Sequence, residues 1–474
     1  MRSDLLMLAR MRFGGWSMHQ RNRVYQPARA VVERLGAIAD ADGAHLPAPL
    51  CSVTSHRRVD NGKGTNVVVK DKALPGLVGG GVAQGYGKVA DAFRRNFDRG
   101  HEIGAAMTVY RDGVKVVDLW GGYRNGNTKT PWQQDTLVTV FSTTKGLASL
   151  AVAVAVAQGL ISYDSPVADY WPEFAQAGKD VITVRQLMSH RAGLPVIDPP
   201  LTINDLKDPA RIAAKLAAQP PAWKPGTRQG YHGVTLGWYS SELIRRADPA
   251  GRSIGRFFAD EVAAPMGLDF HIGLPPSIDR DRIAQMHTWS PHEPLLHLNT
   301  MPARFVLGLL RPRSLTAKAF VIPGIRILDD INRDELREVE MPAVNGIGTA
   351  ASVAKAYGCA ATGGTEIGLT PGTLKELTMP AAPPSGGARD KVLGVDTSFS
   401  LGFVKPSPMT QFGSSDQAFG TPGAGGSFGF ADPDTGIGYG YVMNKMGFHL
   451  ISDPRELTLR KALFEDALGA RPQS

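Results

Sequence analysis

Apolar and polar residues follow strand-like patterns near both ends of the main body of the chain and helix-like patterns between them. From residue 85 to 101, apolar positions recur at a spacing of four, which predicts an amphipathic helix. Two β-rich runs follow, 105–110 and 114–120, on either side of an Arg-Asp-Gly turn. This combination is typical of a β-hairpin.

The far end of the chain repeats this pattern. The β-rich runs 427–430 and 437–443 flank an Ala-Asp-Pro-Asp-Thr-Gly turn, which predicts a second hairpin. Apolar positions in 453–468 predict a closing helix. The long middle of the chain is mostly helical in pattern. We therefore expect an α+β protein with one antiparallel sheet built from both ends of the chain, flanked by helices, and with a mainly helical region inserted.

The first part of the chain is set apart by weak periodicity. The run 24–39 predicts one amphipathic helix, and the glycine-rich run 77–81 is interpreted as a linker. We therefore divide the chain into a basic N-terminal extension with its linker, 1–78, and a main domain, 79–474. The main domain is expected to contain sheet parts at about 85–140 and 395–470 and a helical part at about 141–394.

The formal net charge of +8 over 474 residues is concentrated near the start of the chain. Residues 1–75 contain 12 Lys and Arg against 6 Asp and Glu, which leaves residues 76–474 with a charge of only +2. The main body has no long basic run and no basic stripe interleaved with aromatic residues, so we expect no nucleic-acid binding there. The extension is interpreted as a solvated tail, with contact to a membrane or polyanion as the alternative.

Cysteine content and hydropathy argue against disulfide-rich, zinc-binding, secreted and membrane-spanning classes of protein. Cys51 and Cys359 cannot build a disulfide framework, and neither lies in a zinc-binding pattern. The apolar run 5–9 ends at Arg10, which is too short for a secretory signal. The longest apolar stretch, 147–157, is about half a membrane span. We therefore expect a cytoplasmic protein without an integral membrane segment; the oligomeric state stays open.

A Ser-x-x-Lys pattern at Ser142 and Lys145 is the clearest chemical signal. A serine hydroxyl needs a base to act as a nucleophile at neutral pH. If a helix begins at Ser142, Lys145 lies one turn further on the same face and within reach of the hydroxyl. An apolar wall would lower the pKa of this lysine and make it a proton acceptor. The run 147–157 would provide that wall.

Alone, this pattern is weak, because the simpler interpretation of Ser142 is a helix N-cap. The sequence context of the pattern favours a catalytic role for Ser142. The pattern follows a predicted hairpin and opens a helix that is apolar on every face, and such a helix must be buried. This places Ser142 at the floor of a cleft.

The segment 141–146, Phe-Ser-Thr-Thr-Lys-Gly, resembles the nucleophile motif of the serine β-lactamase-like superfamily. Within this superfamily the chain most resembles the class C β-lactamase-related esterases, also called family VIII carboxylesterases. The stretches 161–174, 182–195 and 225–238 are similar to further segments of that family, and the resemblance covers about 85–468. It implies a β-lactamase/transpeptidase-like fold.

The resemblance makes Tyr231 the partner of Ser142 and Lys145. A phenol near an ammonium is expected to have a depressed pKa and to relay a proton to the leaving group. The simpler interpretation is a core tyrosine with a satisfied hydroxyl. The β-lactamase motif Tyr-x-Asn reads Tyr231-His232-Gly233 here, so the asparagine that binds a substrate amide is missing. The resemblance also implies that His232 binds substrate.

The third motif of the superfamily corresponds to the stretch that begins at Thr421. Thr421 stands where a lysine or histidine is common, which argues against recognition of a substrate carboxylate. The resemblance implies substrate binding by Thr421 and Gly423. It also implies an oxyanion hole formed by the backbone N–H groups of Ser142 and Ala424.

Three other features have simpler explanations. Ser427 lies in a Gly-x-Ser-x-Gly pattern, but a β-rich run follows it instead of the helix that a nucleophile elbow needs, so we interpret it as structural. His190 is interpreted as structural and as a brace near the cleft. The apolar region 296–340 could line an acyl pocket, form a lid or belong to the core.

Together, these features predict a serine hydrolase that cleaves carboxylic esters with short to medium acyl chains through an acyl-serine intermediate. We expect a small-molecule ester as substrate and no metal or organic cofactor. One alternative is a β-lactamase or D-Ala-D-Ala carboxypeptidase, against which Gly233 and Thr421 argue. The other is a catalytically silent binding protein on the same fold.

Overall fold

An antiparallel sheet with strands from both ends of the described chain lies at the centre of the fold. The computed structural model describes residues 77–469 apart from 199, 290–292, 294–296, 298–299, 321–324 and 326–329. All of these residues belong to one compact unit, 66–474. The predicted helix at 24–39, Cys51 and the basic extension lie outside the described residues.

The main sheet has the strand order β1-β3-β2-β10-β9-β8, with β4 paired to the end of β3. A second, three-stranded sheet has the order β5-β7-β6. The strands are β1 Val78–Val82, β2 Gly104–Arg111, β3 Val114–Asn125, β4 Thr130–Pro131, β5 Val138–Thr139, β6 Phe270–His271, β7 Ile347–Gly348, β8 Phe419–Pro422, β9 Phe428–Asp432 and β10 Ile437–Met443. Because β2 pairs with β10 from Ala105–Met443 to Arg111–Ile437, the sheet joins the two ends as predicted.

Helices cover both faces of the sheet and are the main regular structure of the inserted region. The α-helices are α1 Gly87–Asp98, α2 Thr143–Ala157, α3 Val167–Tyr170, α4 Val184–Met188, α5 Ile203–Leu206, α6 Pro209–Ala218, α7 Thr235–Ala247, α8 Ile254–Phe258, α9 Ala264–Met266, α10 Ala303–Leu309, α11 Leu315–Phe320, α12 Asp334–Glu338, α13 Ala350–Ala361, α14 Pro371–Thr378 and α15 Pro454–Lys461. A π-helical segment, Ala462–Ala467, continues α15. None of the helices in the described part of the chain has the length and hydropathy needed to span a bilayer.

The helix α13 packs closely on one face of the sheet because β9 and β10 present glycines there. A Cβ on Gly438 would lie 2.1 Å from the Gly358 nitrogen, and a Cβ on Gly440 would lie 2.5 Å from the Ala350 oxygen. The alternate residues of β10 point to the opposite face, where Tyr439 stacks on Phe430 at a centroid distance of 4.7 Å. The period of two seen in the sequence thus separates a glycine face from an aromatic face.

The glycine-rich run 77–81 corrects one sequence prediction. It was interpreted as a linker, but Val78–Val82 forms β1 and pairs with β3 from Val78–Gly121 to Val82–Val117. Its glycines permit close packing, since a Cβ on Gly79 would lie 2.9 Å from the Trp120 Nε1. The proposed domain boundary at 78/79 stays a prediction.

Candidate active site

Ser142 lies at the start of the central helix α2, whose residues 143–155 are all buried. The preceding Phe141 has a φ of +47°, which is uncommon for a residue with a side chain and marks a sharp turn. The Ser142 hydroxyl makes no capping hydrogen bond to the helix. Instead, its Oγ accepts a hydrogen bond from Lys145 Nζ at 3.0 Å. Ser142 therefore holds the N-cap position, but its hydroxyl caps no backbone N–H and is oriented toward the lysine.

The turn before α2 is held by hydrogen bonds to a distant segment. The Val140 N–H donates to the Gly346 oxygen at 2.9 Å, and the Gly346 N–H donates to Thr144 Oγ1 at 2.8 Å. A Cβ on Gly146 would lie 1.8 Å from the Tyr357 hydroxyl, so a glycine is required directly after Lys145. The first turn of α2 is thus fixed on both sides of Lys145.

Lys145 is 2% exposed and pairs with no carboxylate in the described residues. Its Nζ donates to Ser142 Oγ at 3.0 Å and to the Ala343 backbone oxygen at 2.8 Å. Burial lowers the pKa of Lys145 well below its ordinary value, because the charged form loses solvation. A neutral amine can accept the Ser142 hydroxyl proton across the same contact. The contact with Ala343 could not be predicted from the sequence, because every residue has a backbone carbonyl and residue type does not show which one is used.

Tyr231 lies over the same lysine. Lys145 Nζ is 4.8 Å from the centre of the Tyr231 ring, and the Tyr231 phenol interacts with the Ser142 side chain. The predicted pKa depression is wrong: burial raises the pKa of Tyr231 above its ordinary value, and the interaction with Ser142 only partly offsets this. Because burial also disfavours the charged form of Lys145, this lysine does little to stabilise a phenolate. Tyr231 is therefore a protonated phenol in contact with the serine.

Asp390 lies beside the backbone of Tyr231 and was not predicted from the sequence. Its buried carboxyl group accepts hydrogen bonds from the backbone N–H groups of Val392 and Leu393, both at 2.8 Å, and interacts with the Tyr231 backbone. Burial raises its pKa despite these bonds. An aspartate followed by a turn is the available signal, but the link to Tyr231 spans 159 positions of sequence and depends on the fold.

His232 is buried and braces the site from inside the protein, which does not support the substrate contact that the resemblance implied. It is 0% exposed, its Nδ1 is hydrogen-bonded to the Gly230 oxygen at 2.8 Å, and its Nε2 accepts from the Leu194 N–H at 3.0 Å. Both ring nitrogens are therefore used inside the protein. His190, interpreted as a brace, accepts from the His232 N–H at 3.0 Å through Nδ1. Its ring lies 5.0 Å from that of Tyr231.

Thr421 and Gly423 lie beside the start of α2. The Thr421 side chain is buried, and its hydroxyl faces Gly146, where an added Cβ would lie 2.9 Å from Oγ1. This placement does not support the predicted contact of Thr421 with substrate. Gly423 lies against the loop before Ser142, since a Cβ there would be 2.3 Å from the Val140 oxygen. Its substrate contact stays a prediction.

The turn 423–427 is tied to the segment that carries Ser142, and the oxyanion hole predicted at Ala424 stays a prediction. Ser427 Oγ donates to the Val140 oxygen at 2.7 Å and lies 3.1 Å from Thr143 Oγ1, which ties the turn to the loop that carries Ser142. The N–H groups of Ser142 and Ala424 donate to no acceptor among the described residues. Ser427 itself is 1% exposed and is followed by β9, so it lacks the geometry of a nucleophile elbow.

Part of the region 296–340 forms an apolar wall at Tyr231. The Phe320 ring lies 6.1 Å from that of Tyr231 and 5.6 Å from that of Phe305. A Cβ on Gly233 would lie 3.0 Å from the Phe320 ring and 3.0 Å from the Ala319 oxygen. The space for a longer side chain at position 233 is therefore already filled. By contrast, Leu309 and Leu310 are exposed and do not belong to this wall.

The chain is similar to several known proteins. A sequence profile of the Beta-lactamase family matches residues 89–462. The chain is 33% identical to the esterase/beta-lactamase LipL of Mycobacterium tuberculosis, over 76% of this chain and 81% of that protein. A solved family VIII carboxylesterase is 38% identical, with a TM-score of 0.71 over 81% of this chain and 98% of that one. A penicillin-binding protein homologue from Caulobacter crescentus is 37% identical, with a TM-score of 0.70 over the same shares.

The comparisons confirm the resemblance that the motifs indicated. The fold is β-lactamase/transpeptidase-like, with an antiparallel sheet and flanking helices. Relatives of the chain include carboxylesterases, which are serine hydrolases. From the profile match and from the relative that is 33% identical, we conclude that this chain belongs to the Beta-lactamase family.

Proposed function

We propose that the protein hydrolyses small carboxylic esters, with short to medium acyl chains, through a covalent acyl-serine intermediate. The observation that carries this proposal is the 3.0 Å contact between Ser142 Oγ and Lys145 Nζ, made by a lysine that is 2% exposed. A buried neutral amine at this distance is a base for the serine hydroxyl. The esterase names of the relatives support the same reaction.

In the acylation step, Ser142 Oγ attacks the ester carbonyl carbon and its proton passes to Lys145 Nζ. The N–H groups of Ser142 and Ala424 are free to donate to the oxyanion of the tetrahedral intermediate. When this intermediate collapses, the bond to the alkoxy group breaks and the leaving oxygen takes a proton from Lys145, with the Tyr231 hydroxyl as the relay. Water then attacks the acyl carbon and gives a proton to Lys145. The bond between that carbon and Ser142 Oγ breaks, the carboxylic acid leaves, and Lys145 returns the proton to Ser142 Oγ.

The geometry favours esters over β-lactams or D-Ala-D-Ala peptides. Phe320 and the Ala319 oxygen fill the space in which an asparagine at position 233 would bind a substrate amide. Thr421 is uncharged and buried against α2, so it provides no clamp for a carboxylate. A neutral ester requires neither contact. A silent binding protein has no need for a buried lysine that is hydrogen-bonded to a serine hydroxyl.

The test combines labelling and turnover on the purified full chain. A serine-directed phosphonate should label one residue, located at Ser142 by peptide mass mapping, and p-nitrophenyl esters should be hydrolysed faster than a chromogenic cephalosporin. Absence of both labelling and ester turnover would refute the enzyme proposal. Rapid cephalosporin turnover with little ester hydrolysis would replace it with the β-lactamase alternative.

Phe320 is expected to limit the acyl group that fits beside Tyr231. In Phe320→Ala, kcat/KM for long-chain esters should rise relative to short-chain esters by about 10-fold, since each added methylene in an apolar pocket contributes about 1–3 kcal/mol to discrimination. A series of p-nitrophenyl esters from acetate to decanoate measures this ratio. Phe97→Ala, which removes a ring on α1 that packs on Phe93, is the matched control. The assignment of Phe320 fails if both variants keep the wild-type ratio.

A further inference from the structure

Arg455, in the first turn of α15, is an arginine whose five N–H donors are all paired inside the protein. Its side chain is 6% exposed. Nε and Nη2 bind the two oxygens of Asp453 at 2.9 and 2.8 Å, and Nη1 binds Glu102 Oε2 at 3.0 Å and the Lys445 oxygen at 2.9 Å. The remaining Nη2 proton goes to the Gly425 backbone oxygen at 2.6 Å.

Gly425 belongs to the turn 423–427, one residue after Ala424. Its φ of +85° places it in the left-handed region, and its oxygen also accepts from the Gly447 N–H at 2.9 Å. These two bonds hold the Gly425 carbonyl toward the interior of the protein. The opposite end of the turn is held by Ser427 Oγ on the Val140 oxygen. The Gly423 N–H also donates to the Ser427 oxygen at 2.7 Å, so Ala424 lies between two held residues, Gly423 and Gly425.

Two glycines pack directly against the Arg455 guanidinium, at positions where a side chain would collide with it. A Cβ on Gly426 would lie 3.0 Å from Arg455 Nη2, and a Cβ on Gly447 would lie 2.6 Å from the same atom. The carboxylate of Glu102, 1% exposed, also accepts from the Tyr441 hydroxyl. Buried ion pairs contribute little net stability compared with apolar side chains of the same size, but they fix geometry well. We therefore interpret the buried cluster of Arg455, Glu102 and Asp453 as a device that fixes the position of the turn 423–427 more than one that adds to the free energy of unfolding.

We propose that Arg455 is a positioning residue for the oxyanion turn. It does not touch substrate. It fixes the Gly425 carbonyl and through it the direction of the Ala424 N–H, which must point at the developing oxyanion. This inference rests on the proposed function, because it assigns Arg455 to the stabilisation of the same tetrahedral intermediate. The cluster joins Glu102, the turn and α15, so elements from both ends of the described chain set the position of one N–H group.

Thionoesters provide a readout that a purely structural role would not change. Sulfur is a weak hydrogen-bond acceptor, so an N–H donor accelerates attack on a thionoester much less than attack on the matching ester. The ratio of kcat/KM for the ester to that for its thionoester therefore reports the alignment of the donors. In Arg455→Lys, the three ammonium donors would serve the two carboxylates and leave the Gly425 oxygen to Gly447 alone.

The experiment compares Arg455→Lys with Arg460→Lys, a matched control on the same helix. Arg460 is also buried and paired with a glutamate, Glu456, at 2.6 Å, but it makes no hydrogen bond to the turn. Arg455→Lys should lower kcat for the ester by about 10–100-fold with little change in KM, because misplaced groups at a reacting centre cost about this much. Its ester-to-thionoester ratio should fall by a similar factor, whereas Arg460→Lys should keep the wild-type ratio.

Folded content, measured by circular dichroism and thermal unfolding, separates positioning from loss of structure. An unchanged ester-to-thionoester ratio in folded Arg455→Lys would overturn the assignment of Arg455. The proposed function would still stand in that case, provided that the wild-type protein hydrolyses the ester. If Arg455→Lys does not fold, Asp453→Asn takes its place, since its amide would repel Nη2 and loosen the contact with Gly425. An unchanged ratio there would overturn the assignment equally. Absence of ester turnover in the wild-type protein, at the level of Ser142→Ala, would overturn both proposals.

Discussion

Replacing Ser142 with alanine should reduce ester hydrolysis by about 10⁴-fold or more and abolish phosphonate labelling. The reason is that the proposed covalent step has no other acceptor for the acyl group. Only substrate binding and the backbone N–H donors of the oxyanion hole would remain to accelerate hydrolysis. The substitution removes one partly exposed oxygen, so stability should change little. Steady-state turnover of a p-nitrophenyl ester and mass spectrometry of the labelled protein measure the two effects.

Ser427→Ala is the matched control, because Ser427 is the other serine with a motif pointing to catalysis. Its hydroxyl is buried and bonded to the Val140 oxygen at 2.7 Å, so its loss should loosen the turn but leave a nucleophile in place. The variant should still be labelled at Ser142. Labelling that survives in Ser142→Ala and disappears in Ser427→Ala would reverse the choice of nucleophile.

Replacing Lys145 with methionine should lower kcat/KM by about 10³-fold, within the range of about 10²–10⁴ for loss of a general base. Methionine keeps the length and apolar contacts of the stem, and no buried carboxylate loses its partner. Tyr231→Phe provides the comparison, because it removes a relay hydroxyl but keeps the base. If Lys145→Met lost no more activity than Tyr231→Phe, Lys145 would not be the base.

The pH dependence tests the same assignment, and its sign follows from the pKa shifts. Because burial lowers the pKa of Lys145, the amine is neutral and active above that pKa and is protonated and inactive below it. Activity should therefore fall only on the acid side. The neighbouring groups do not reverse this sign: burial keeps His190 neutral by lowering its pKa, and it keeps Tyr231 protonated by raising its pKa. The acid limb should disappear from the residual activity of Lys145→Met, and its persistence there would contradict the assignment.

The sequence alone determined those features that depend on neighbours along the chain. Ser142 and Lys145 meet because a helix returns to the same face after one turn, and Ser-x-x-Lys records that spacing. The two hairpins follow from alternation with a period of two, and the burial of α2 follows from an apolar surface on every side. These relations are local, so residue type and spacing are sufficient to predict them.

The tertiary structure decided what depends on contacts between distant segments. The Ala343 oxygen binds Lys145 across 198 positions, and Glu102 binds Arg455 across 353. The glycine-rich run 77–81 predicts a linker because glycine is typical of loops. In the structure, Val78–Val82 forms a strand paired with β3, and its glycines allow close packing against Trp120. The direction of the Tyr231 pKa shift depends on the burial of both the phenol and its lysine. Burial is a property of the folded protein. The sequence could therefore identify Lys145 and Tyr231 but could not predict the directions of both pKa shifts.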